Sequence, residues 1–127
     1  MLSKGFSLFE LLITLAIFSI LLSIAYPSYC SYLQHSYRKE AKIALVQVAS
    51  RLENYFVEQN SYAGATLTEL GETALIAHGK YLLNLAELSD GDYLIEAIPQ
   101  ADQTNDSCGI LSLNAAGELK AESNSCF

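Results

Sequence analysis

Residues 11–37 contain no Lys, Arg, Asp or Glu, and the first sixteen of them are almost wholly apolar. About 20 apolar helical residues span the hydrocarbon core of a bilayer, so this stretch predicts a membrane helix. Ahead of it stand only Met1-Leu2-Ser3-Lys4 and Gly5-Phe6-Ser7-Leu8-Phe9-Glu10. A secretory signal places its small-residue cleavage site after the apolar core. Here the small residue, Gly5, comes before it, so a cut at Gly5 removes a short charged leader and keeps the helix. Glu10 is the exception at the head of the run. A carboxylate on a membrane helix costs a few kcal/mol at the centre, less near an end, and marks a functional candidate. A cut after Gly5 would leave Phe6 with a free α-ammonium, and a neighbouring copy could set that charge against Glu10. At about 4 Å and an effective dielectric near 20 the attraction is about 4 kcal/mol before desolvation. The plainer reading is a single-pass anchor with one carboxylate close to the interface.

Lys4-Gly5-Phe6-Ser7-Leu8-Phe9-Glu10 resembles the processing motif of type IV prepilins, which are cut after Gly by a membrane aspartyl peptidase and N-methylated on the new terminal Phe. Pro27 stands where that family has its helix-kinking proline, and Ala25-Tyr26-Pro27-Ser28-Tyr29 is similar to the matching segment of PilE-like pilins. Asp106-Ser107-Cys108-Gly109-Ile110-Leu111-Ser112-Leu113-Asn114 and the terminal Cys126-Phe127 resemble the C-terminal end of that subgroup. The resemblance implies a filament subunit and no enzyme. It places peptidase cleavage between Gly5 and Phe6, N-methylation on Phe6, and assembly contacts at Glu10, Leu11, Leu12 and Pro27. The implied partners are the prepilin peptidase, other pilin subunits, the inner-membrane assembly machinery, and membrane lipid before assembly. The leader is then residues 1–5, the transmembrane and assembly helix residues 6–33, and the soluble head residues 34–127. The head would face the periplasm while the chain is in the inner membrane, then lie on an extracellular pilus. A retractable filament for adhesion, twitching motility or DNA uptake is the expected function, in a minor subunit. The alternative is a pseudopilin of a type II secretion system, whose major subunit carries a calcium loop in place of a terminal disulfide. An anchored domain of other function ranks below both.

Three cysteines cannot all pair. On an oxidising side Cys108 and Cys126 are the expected disulfide, with two buried thiols as the alternative, and Cys30 stays alone on the helix. No Cys/His cluster, phosphate-cradling loop or Ser/His/Asp arrangement is visible, so no metal, cofactor or catalytic residue is expected. The formal charge of −7 argues against a sequence-independent grip on phosphates, and no direct nucleic-acid site is expected. One charge pattern runs the other way. Lys and Arg should flank a span on its cytoplasmic side, yet the leader holds only Lys4 whereas Arg38, Lys39 and Lys42 follow the run. Local charge alone would invert the chain; the soluble cysteine pair and the resemblance set the opposite orientation.

The fold expected is α+β, a long kinked N-terminal helix packed on a four-stranded antiparallel sheet, the type IV pilin fold. The helix should cover residues 6–59 with an interruption near Pro27. Ala41, Ala44, Leu45, Val48, Leu52, Tyr55 and Phe56 recur at spacings of three and four and form the face toward the core. Ile43, Val46 and Val57 fall on nearly the opposite side, either a thinner stripe for neighbouring helices or a few scattered exposed aliphatics. Arg38, Lys39, Lys42, Arg51, Glu53 and Glu58 are expected on solvated flanks. Residues 68–77 have weak helical character, and His78 reads as a surface histidine. Strands over 81–88 and 93–98 flank Ser89-Asp90-Gly91-Asp92, whose Asp-Gly pair favours a tight hairpin. Strands over 109–113 and 118–121 flank Asn114-Ala115-Ala116-Gly117. Residues 100–107 are polar and expected to loop outward.

Overall fold

The computed structural model describes residues 4–127, so Met1, Leu2 and Ser3 of the expected leader lie outside it. One helix, α1, runs Leu8–Gln59, and five strands follow: β1 Leu75–Ile76, β2 Tyr81–Leu88, β3 Tyr93–Pro99, β4 Leu111–Asn114 and β5 Leu119–Lys120. Contacts divide the chain into two units, Met1–Leu33 and Gln34–Phe127.

The first unit is helical from Leu8. Pro27 lies inside α1 and the helix continues through it without the expected interruption. Proline deletes one donor, whereas the flanking turns keep theirs, so one missing bond does not unwind a helix of 52 residues. Polar side chains here are satisfied on the helix itself: the Thr14, Ser19 and Ser23 hydroxyls donate to the carbonyls of Glu10, Leu15 and Ile20. That arrangement leaves an apolar surface long enough to cross a membrane.

In the second unit the strands form a meander in the order β1-β2-β3-β4-β5, antiparallel throughout. The count is five, not four, because Leu75 and Ile76 pair with Leu82 and Tyr81. A two-residue strand has no period of its own, and its neighbours at 68–77 read as weak helix. The core consists of Ala41, Ala44, Leu45, Val48 and Leu52 from α1 against Tyr81, Leu83, Tyr93, Ile95, Ala97, Leu111 and Leu113 from the sheet. The alternation of β2, β3 and β4 sends every second side chain to this layer. Ile43, Val46 and Val57 are exposed on the far side of α1.

The helix ends at Asn60, whose φ of 57° is the left-handed conformation of a C-terminal stop and whose N–H bonds Phe56 O at 2.7 Å. The β2–β3 connection keeps Ser89 to Asp92, closed by Ser89 N donating to Asp92 O at 3.0 Å. Gly91 takes no positive φ, so the turn is wider than an Asp-Gly pair alone would make. By contrast Gly117, at φ 80°, supplies the left-handed residue that closes β4 on β5.

Candidate functional site

Gly5 and Phe6 precede the helix, and Phe6 is 91% exposed. Leu11 and Leu12 are 52% and 56% exposed, Pro27 is exposed, and every large apolar side chain from Leu8 to Ile24 is likewise bare. Such a surface is unstable in water and needs lipid or other helices around it.

Glu10 is bound locally. Glu10 N donates to Ser7 Oγ at 3.2 Å while Ser7 N donates to Glu10 Oε2 at 3.4 Å. This is a reciprocal capping box, Ser-x-x-Glu, which satisfies two otherwise orphaned donors of the first turn. Sequence reasoning read Glu10 only as an acid in need of a partner on another chain. The three-residue spacing from Ser7 was the signal that finds the local one. The two roles are compatible, because a carboxylate has acceptor sites on both oxygens and the cap uses one of them.

The second group of residues lies in the head, at the C-terminal end of the sequence. Cys108 and Cys126 are joined, closing a loop with a sequence separation of 18 residues; Cys30 is free and half-buried. Residues 100–107 are exposed at Ala101, Asp102, Thr104, Asn105 and Ser107, as an outward loop would be, but turn back into the head at two positions. Ala101–Asn105 form a 3-10 turn that buries Gln103, and Asp106 is buried beside it. Asp106 accepts from Arg38 through both oxygens, at 2.7 Å from Nη2 and 3.0 Å from Nε, and Cys108 N donates to Oδ1 at 3.3 Å. Gln103 Nε2 donates to Gln34 O, to Tyr81 Oη and to Asp106 Oδ2 at 3.1 to 3.2 Å. Arg38 is therefore no solvated flank residue. Its fork fixes the strand-to-disulfide segment against α1, and the planar guanidinium suits that bidentate contact. The partners are 68 residues apart, and no local pattern announces the pair.

Tyr62 Oη donates to Glu53 Oε1 at 2.9 Å, and its ring meets Tyr93 edge-on with centroids 4.9 Å apart. Burial pushes the Tyr93 phenol up to about 12, with the Glu53 carboxylate adding to the effect. Tyr62 is raised by burial and by its hydrogen bond to Glu53. On the surface Lys80 pairs with Asp102, whose carboxyl is held below its usual range chiefly by that hydrogen bond. Glu118 is lowered first by the Asn114 amide and then by Lys120. His78 is exposed, with its ring edge-on to Tyr37. Among the described residues no group of three or more His, Cys, Asp or Glu side chains is placed to hold a metal.

Comparison with known proteins agrees with this arrangement. Residues 27–112 match a family described as type IV minor pilin ComP, DNA uptake sequence receptor. Residues 1–26 match the prokaryotic N-terminal methylation motif. A fimbrial protein of Neisseria meningitidis serogroup B is 30% identical over 90 residues, 71% of this chain and 52% of the relative. The chain thus spans about half the length of that curated relative. Two solved structures share the fold. The non-core minor pilin PilV of Neisseria meningitidis superposes with a TM-score of 0.61 at 16% identity, over 75% of this chain and 92% of that one. A type IV pilin from Shewanella oneidensis gives 0.57 at 23% identity, over 74% and 97%. With an N-terminal methylation motif leading directly into a pilin head, the chain belongs to the type IV minor pilin family of ComP.

Proposed function

We propose that the chain is made as a membrane-inserted prepilin, cut between Gly5 and Phe6, methylated on Phe6, and polymerised into a pilus through its apolar helix. The observation that carries this reading is the contrast within α1. Its N-terminal part is bare apolar surface, whereas its C-terminal part is built into a head with its own core. Leu11, Leu12 and their neighbours exchange lipid for other helices on assembly. Because lipid is already apolar, that exchange returns little hydrophobic energy. Register then falls to polar contacts. The α-ammonium of Phe6 on one subunit meets the unused oxygen of Glu10 on another, and Pro27 lies within the same assembling segment. The prepilin peptidase, other pilins and the inner-membrane assembly machinery are the partners. The head faces the periplasm first and the outside of the pilus later.

Two substitutions test the role of Glu10. Glu10→Gln keeps an acceptor for Ser7 N and so keeps the cap, but removes the charge; Glu10→Val removes both. Both variants are expected to insert and to be cut after Gly5, and both to fall at least severalfold in the sheared pilus fraction. Normal incorporation of Glu10→Gln would mean that the cap, and no ammonium pairing, is what Glu10 supplies.

A role in DNA uptake, in place of adhesion or twitching motility, is favoured by one specific observation: the matched family is described as a DNA uptake sequence receptor. The net charge of −7 limits phosphate contacts per subunit. Lys120, with a 70% exposed side chain and a 3.5 Å pair to Glu118, is the paired cation most readily transferred to a phosphate. Retention of duplex DNA by sheared filaments across a salt series checks this role; absence of retention at low salt removes it.

A further inference from the structure

Arg38, Arg51, Lys80 and Lys120 each sit against a carboxylate. Lys39 and Lys42 do not: among the described residues neither has a carboxylate oxygen within 4.0 Å. With His35 they occupy one face of α1 at spacings of four and three, and all three are exposed. Together with Arg38, Ser125, Cys126 and Phe127 they line an open cleft of about 470 Å³. No Asp or Glu lines it. The Cys108–Cys126 bond ties down the C-terminal part of this lining, and Lys42 Nζ lies 5.2 Å from the centre of the Phe127 ring.

The place of these cations in the sequence narrows what they meet. They follow at once on residues 11–37, which hold no Lys, Arg, Asp or Glu. The end of the apolar run carries Tyr26, Tyr29 and Tyr32, 70%, 60% and 66% exposed, and tyrosines favour the boundary between hydrocarbon and water. The order along the chain is therefore apolar span, tyrosines, cations. Orientation signals would put such cations on the leader's side of the membrane, and in the insertion proposed above these lie beyond the span on the other side. A positive cluster that opposes the orientation signal is open to a ligand where it stands. Duplex DNA fits less well, because two lysines and a histidine neutralise few phosphates of a rod-like polyanion.

We propose that Lys39, Lys42 and His35, with the Phe127 ring, bind the phosphate of an anionic phospholipid headgroup in the leaflet next to the head. The ammonium groups take the phosphate oxygens, the imidazole adds a donor, and the ring covers the glycerol end. The site holds the unassembled subunit at a fixed depth and is given up when the subunit leaves the bilayer. It rests on the proposed membrane insertion of the chain before assembly.

The test uses the full processed chain in two steps. Flotation with vesicles of phosphatidylglycerol and of phosphatidylcholine reads insertion alone; failure to float with either would overturn the insertion reading and this site with it. Native mass spectrometry from detergent micelles then counts bound lipid during titration. A surface lysine contributes about fivefold to anionic-lipid binding, so the double variant Lys39→Gln/Lys42→Gln is expected to bind phosphatidylglycerol about 25-fold more weakly. Lys39→Arg/Lys42→Arg is expected to keep binding, and phosphatidylcholine to bind weakly to all three forms. An intact Cys108–Cys126 bond and unchanged circular dichroism verify the head in each variant. Equal binding of the two lipids, or indifference to the Gln substitutions, would overturn the site. So would displacement of the lipid by millimolar inorganic phosphate, which would mark a free-anion site, or by duplex DNA, which would mark a nucleic-acid site.

Discussion

Asp106 has a side chain only 3% exposed and meets Arg38, itself 17% exposed, in a two-pronged contact. A buried charge that loses its partner costs about 3 to 5 kcal/mol, far more than the pair contributes over well-packed apolar residues. Asp106→Ala is therefore expected to lower head stability by about 3 kcal/mol. Joint replacement of Arg38 by Met and Asp106 by Leu should cost less, because no charge is stranded. Denaturant midpoints of the three proteins check the order; a milder loss for Asp106→Ala than for the joint replacement would contradict it. Tyr93 gives a second test at this scale. Its phenol titrates near 10 in an unfolded chain and about 12 in the head, so the native state holds the proton more tightly. Stability from this group is full below pH 10 and is lost as pH rises through 12. The unfolding midpoint should fall over that window and fall less steeply in Tyr93→Phe, where the raised Tyr62 phenol remains; an equal fall in both proteins would remove Tyr93 as a cause.

The two faces of α1 do different work at the scale of elements. Leu52 is fully buried in the core, whereas Ile43 and Val46 are 60% and 54% exposed. Leu52→Ala should destabilise the head by about 2 to 5 kcal/mol. Ile43→Ser and Val46→Ser should leave it within about 0.5 kcal/mol yet reduce recovery in sheared filaments if, as proposed, their exposed stripe packs on neighbouring helices. A midpoint shift from the serine variants as large as that from Leu52→Ala would contradict the assignment of faces. Both stripes were legible from spacing alone, because a helix repeats every 3.6 residues and this one is long enough to show it. The strands at 81–88 and 93–98 were legible for the same reason, with alternation bounded by turn residues. β1 was not: two residues hold their place only through Leu82 and Tyr81. The burial of Gln103 was also hidden, since a polar segment reads as exposed until Gln34 and Tyr81 are seen to take its bonds. Glu10 was half legible. Its charge stood out, while the Ser7 spacing that caps the helix went unread.

For the whole molecule, the head has a core of its own, a disulfide and a buried ion pair, whereas the first unit has almost nothing to pack against. Its bare apolar surface needs other apolar groups around it, and in the proposed assembly a filament supplies them. The closing loop of 18 residues should contribute about 3 kcal/mol to the head in the chain-entropy account. That stability is needed because roughly 90 residues give only a modest core. The most direct measurement is non-reducing intact and N-terminal peptide mass spectrometry of the chain from membranes and from sheared filaments. A chain beginning at N-methylated Phe6, two hydrogens lighter for the Cys108–Cys126 bond, is expected in the sheared fraction. A chain that retained Met1 through Gly5 and stayed in the membrane would contradict it.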